Sequence, residues 1–115
     1  MRSSPSRLPA RHEHPEIDDA AFVVARAVDR LLVEADRLAP TSPAAARWAG
    51  HLQRIPDQLR DDPLPGLRAA ARRVRAAYGP KDSLRDTFPP ELTEPLLEAT
   101  DRLLKAIARY EAQRD

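Results

Sequence analysis

Apolar side chains recur along this chain at steps of three and four, and prolines cut the pattern into separate runs. Val24, Val28, Leu31, Leu32, Ala35 and Leu38 form one run, and Ala45, Trp48, Ala49, Leu52 and Ile55 a second. Leu67, Ala70, Ala71, Val74, Ala77 and Tyr78 form a third; Leu96, Leu97, Thr100, Leu103, Leu104, Ile107 and Tyr110 a fourth. A repeat near 3.6 residues places each run on one face of a helix, and no segment alternates with the period of a half-buried strand. The pattern predicts an all-α fold, a compact bundle of four main helices that bury these faces against one another.

Local signals set the expected boundaries. The first helix is expected from about Asp18 to Leu38, with Asp18 as its cap, Ile17 and Phe22 flanking the cap, and Pro40 beyond its end. Ser42-Pro43 reads as a capping hydroxyl followed by a proline at the first helical position. Pro56 should break the second helix near Ile55, with a further short turn at Gln58 and Leu59. The third helix is expected from Leu64–Gly66 to Tyr78, with Gly79 as a left-handed cap residue. Ser83 and Asp86 have capping-box spacing and predict a short helical turn, stopped by Pro89-Pro90. The last helix should start between Glu91 and Pro95, with Thr93 as a candidate cap, and run to about Gln113. Residues 1–16, rich in serine and proline, carry too little apolar surface to fold, so the reading is a disordered tail at 1–16 and one helical domain at 17–115.

With 115 residues and no cysteine, the chain has room for one core and no disulfide or thiolate chemistry, a composition suited to a cytoplasmic location. No apolar run is long enough to span a membrane, and the N-terminus lacks the apolar block of a signal peptide. The formal net charge is +1, but residues 47–85 hold a local +5 and residues 86–115 a local −3. A chain so close to neutral disfavours a dedicated nucleic-acid binder.

The residues available for chemistry are few. His12 and His14 form a His-x-His pair in the expected tail, where no metal geometry is preformed. His51 stands one turn from Trp48 without a neighbouring carboxylate, and reads as a packing or interface residue rather than a general base. The three glycines form no phosphate loop. Arg68, Arg72 and Arg75 share a face of the third helix. Glu91, Glu94, Glu98 and Asp101 lie near one face of the last, without the Glu-x-x-His pattern of a di-iron bundle. Trp48, the sole tryptophan, is read as core filler, with a partner groove as the alternative.

Two segments carry a resemblance. Trp48-Ala-Gly-His-Leu52, and Tyr78-Gly79 followed by Ser83 and Asp86, resemble a family of small bacterial helical proteins. That family has a Trp-x-x-x-Leu helix and a Tyr-Gly-Gly-Met-Gly-Ser-x-x-Asp loop; Pro80, Lys81 and Asp82 stand here at the loop centre. The resemblance implies the helical fold and an immunity-type setting.

The expectation is therefore a non-enzymatic module, without cofactor or metal, that binds and inhibits another protein. Arg68, Arg72, Arg75, Glu91, Glu94 and Glu98 are its candidate contacts, on separate basic and acidic faces. The alternatives are a homodimeric assembly module and a weak nucleic-acid binder acting through the arginine face.

Overall fold

The computed structural model describes residues 14–114, in which six helices and no strands are present. They are α1 (Pro15–Leu38), α2 (Pro43–Leu52), α3 (Ile55–Asp61), α4 (Leu64–Ala76), α5 (Leu84–Thr87) and α6 (Pro90–Arg114). The four main helices of the sequence are α1, α2, α4 and α6. α3, which opens at Ile55 with Pro56 in its first turn, stands where the sequence predicts a short turn at Gln58 and Leu59, and α5 follows Ser83. Residues 1–13, most of the expected tail, lie outside the described residues.

Helix α1 is the hub. Ile17, Ala21, Val24, Ala25, Val28, Leu31 and Ala35 are buried along one face, and small residues there let neighbours approach closely. α6 lies antiparallel beside it: Glu16 pairs with Arg109 at one end, while Val23 shares a groove with Pro95 and Ala99 further along. α2 and α3 cover the other flank, where the Arg60 guanidinium donates to Asp29. α4 packs on the far side of α6, and Leu67, Ala70, Ala71 and Val74 join Leu96, Leu103 and Ile107 in one core.

Several boundaries follow from proline sterics. α1 begins at Pro15, three residues before the expected Asp18, because a proline at the first helical position needs no amide partner. Pro15 and Glu16, expected in the tail, are the first two residues of α1. His14 precedes α1, and its ring meets the Tyr110 ring edge-on at 4.2 Å. α6 begins at Pro90 for the same reason, so Pro90 opens the last helix as well as closing the turn before it. Thr93 is thus inside α6 and caps nothing. α2 stops at Leu52, the residue whose carbonyl the ring of Pro56 would strike if the helix continued. The Ser42 hydroxyl accepts from the Ala45 amide at 3.1 Å, as its position predicts.

The loop after α4 differs from expectation. α4 ends at Ala76 and Ala77 keeps a helical conformation, so Gly79 is not a left-handed cap. The positive φ falls on Asp82, at 53°, a conformation that aspartate tolerates better than most side chains. Phe22, expected against the cap of α1, is 39% exposed on its outer face.

Candidate functional site

Three of the six charged residues singled out in the sequence, Arg68, Arg75 and Glu94, are held in ion pairs. α4 and α6 run antiparallel and in contact, so the arginine face of α4 meets the flank of α6 that carries Asp101 and Glu111, while Glu91 and Glu98 lie outside that seam. Arg68 pairs with Glu111, and Arg75 with Asp101 at 3.1 Å. Glu94 is held by both arms of Arg85, at 2.8 and 2.9 Å, and by the Thr93 hydroxyl at 2.9 Å. Arg72, Glu91 and Glu98 are exposed and have no ion-pair partner among the described residues.

This network builds the α4–α5 loop. The buried Tyr78 hydroxyl donates to the Thr93 carbonyl at 2.6 Å, and Arg85 stacks over the Tyr78 ring at 5.5 Å. Burial pushes the Tyr78 phenol well above its usual range, with the Glu94 charge adding to the effect. The Asp86 carboxylate accepts from the Ser83 amide at 3.0 Å, and the Ser83 hydroxyl accepts from the Arg85 amide at 3.1 Å, completing the expected capping box. Pinned at both ends, the loop holds Asp82 out toward solvent.

The hydrogen bonds from Arg85, then that from Thr93, hold the Glu94 carboxyl down at about 2, below its ordinary 4.5. A carboxyl with a lowered folded-state pKa adds stability above its unfolded value and loses it as pH falls through the folded one. Acid unfolding should accordingly steepen between about pH 4.5 and 2, and Glu94→Gln should remove that part of the pH dependence. Urea midpoints measured at several pH values check this.

Opposite the loop lies the outer edge of α2. Ala45 and Leu52 are fully buried, but Trp48, on the same stripe between them, packs against the core with only part of its surface. It is therefore neither the central filler expected nor a free surface residue. His51 stands edge-on to the indole at 5.6 Å, and Arg47 lies beside it in sequence. Arg47, Trp48 and His51 line a recess of about 510 Å³, and Asp82 of the loop lines it too. Arg54, exposed in the turn just after α2, follows His51 by three residues and adds a further positive charge beyond the end of the helix.

No carboxylate occurs between residues 37 and 56, a stretch that holds Arg37, Arg47, His51 and Arg54. That acid-free run was the available sequence signal for this edge. Arg47 and Arg54 have no ion-pair partner among the described residues, in contrast to Arg68, Arg75 and Arg85. The unspent positive charge of the central region is thus found on α2 as well as on the solvent side of α4.

Among the described residues no group of three His, Cys, Asp or Glu side chains is placed to hold a metal ion, and no helix is long and apolar enough to cross a membrane. His12 lies outside the described residues, so the His-x-His pair has only His14 within them. No family model, curated protein or solved structure matches this chain.

Proposed function

We propose that this chain is a non-enzymatic protein-binding module that holds an acidic surface of a partner protein against the outer edge of α2, acting in the cytoplasm in the manner of an immunity-type inhibitor. The observation that carries this reading is the convergence of two distant segments. Trp48–Leu52 and Tyr78–Asp86, the stretches that resemble the bacterial helical family, supply Trp48, His51 and Asp82 to one recess. A partly exposed tryptophan flanked by arginine is the side-chain combination enriched at binding hot spots. The absence of carboxylates from 37 to 56 makes the α2 wall of the recess cationic, with Arg47 and the nearby Arg54 outnumbering the single Asp82 carboxylate opposite, which favours an acidic partner and speeds its encounter. Of the six charged residues first singled out, Arg68, Arg75 and Glu94 join α4, α5 and α6 through ion pairs, while Arg72, Glu91 and Glu98 keep free surface.

Trp48 is the sole tryptophan, so its fluorescence reports on the recess directly. Titration with an acidic amphipathic peptide rich in Glu and Leu should shift its emission to the blue as the indole loses water. Salt at about 1 M, where screening acts within about 3 Å, should reverse the shift. A basic peptide of equal length should leave the spectrum unchanged. Stronger binding of a single-stranded oligonucleotide than of the acidic peptide would replace this reading with the nucleic-acid one.

A further inference from the structure

The second face that the internal network leaves unsatisfied lies along α6, on the flank away from α4. Glu91, Pro95, Glu98, Arg102, Lys105 and Arg109 recur at steps of three and four and are all exposed. Their charges are sorted by position, with carboxylates in the N-terminal half of the row and cations in the C-terminal half. Glu91, Glu98, Arg102 and Lys105 have no ion-pair partner among the described residues, whereas Glu94, Asp101 and Glu111 on the other flank are all paired. Glu98 and Arg102 have the spacing and order that favour a pair within one helix, yet the two are not joined here.

Apolar surface accompanies the row. Val23 of α1, 49% exposed, lines a groove of about 240 Å³ together with Pro95, Glu98, Ala99 and Arg102. Ala99, the small residue at its floor, is nearly buried. The groove therefore has an apolar floor and wall with one carboxylate and one cation at its rim.

We infer that this groove is the two-fold contact of a homodimer in which α6 packs antiparallel against α6 of a second copy. A two-fold interface presents the same patch twice, so a row whose charge changes sign at its midpoint complements itself when reversed. Reversal about a point between Glu98 and Arg102 sets Glu98 against Arg102 of the second copy, and Arg102 against its Glu98. The same operation sets Glu91 against Arg109, and Pro95 against Lys105, with no like charges facing. Val23 and Ala99 from each copy lie beside the axis and supply the apolar centre. A parallel arrangement would face each charge with its own kind, so the sorting of charge selects the antiparallel one. Exposed ion pairs and a small apolar centre make a weak, salt-sensitive dimer rather than an obligate one. This face is separate from the α2 edge and does not depend on the reading given to it.

Sedimentation of four samples at low ionic strength tests the arrangement: the parent chain, Glu98→Arg, Arg102→Glu, and an equimolar mixture of the two variants. The parent should associate to dimers. Each single reversal should weaken association by about a hundredfold, because both symmetry-related contacts then face like charges. The mixture should dimerise again, since the new arginine of one variant meets the new glutamate of the other at both contacts. Far-ultraviolet circular dichroism confirms that each variant keeps its helices, as expected for exposed positions. A monomeric parent at millimolar concentration overturns the inference, and so does a dimer indifferent to both reversals. A mixture that stays monomeric overturns the antiparallel register.

Discussion

Leu31→Ala should destabilise the protein by about 3–5 kcal/mol, the cost of emptying a large aliphatic site that its surroundings cannot close. Leu31 is fully buried on α1, the helix that α2, α3 and α6 all pack against, so the surroundings are held from several sides and close the gap poorly. Val33, two positions later, is 71% exposed, and Val33→Ala should change stability by less than about 0.5 kcal/mol. The pair fixes the rotation of α1, because turning the helix enough to bury Val33 would exchange the two effects. Trp48→Ala should fall between them, at about 1–2 kcal/mol, since the indole keeps part of its surface in water while resting on the core. Urea midpoints with an unchanged slope provide the measurement.

The bundle was legible because its signals are local. The steps of three and four marked the four long helices, the Ser42 hydroxyl caps where its spacing says it should, and Ser83 with Asp86 forms its box. Each depends on residues within one turn of one another, which a linear sequence displays. The errors came where one signal had two meanings. Pro15 reads as part of the tail and Pro90 as a stop, yet each occupies the first turn of a helix, where a proline's missing amide costs nothing. Gly79 looked like the residue for a left-handed turn, but the chain turns at Asp82 because Leu84 returns its amide to the Ala77 carbonyl across the loop.

The candidate site was less legible, for a tertiary reason. The spacing of Arg68, Arg72 and Arg75 shows that they share a face of α4, and that of Glu91, Glu94 and Glu98 a face of α6. Nothing in the spacing says that α4 and α6 are neighbours. Once they are, Asp101 and Glu111 neutralise Arg75 and Arg68 in a seam, which leaves Arg72, Glu91 and Glu98 as the exposed remainder of the two rows. Trp48 shows the same limit: its stripe gives the direction it points, while how deeply it sits is set by the packing of α2 in the bundle, which leaves it only partly buried.

A double charge reversal tests whether α2 presents an edge that selects acidic partners. Arg47→Glu with Arg54→Glu changes two exposed residues that lack ion-pair partners among the described residues, so helix content and urea midpoint should hold. Binding of the acidic Glu-Leu peptide, followed through Trp48 emission at low ionic strength, should weaken by about a hundredfold, as two attractive contacts become repulsive. A basic peptide of the same length, inert toward the parent chain, should now bind and shift the emission. Acidic-peptide binding that survives the double reversal, or a parent chain whose Trp48 emission never responds to that peptide, would contradict the account.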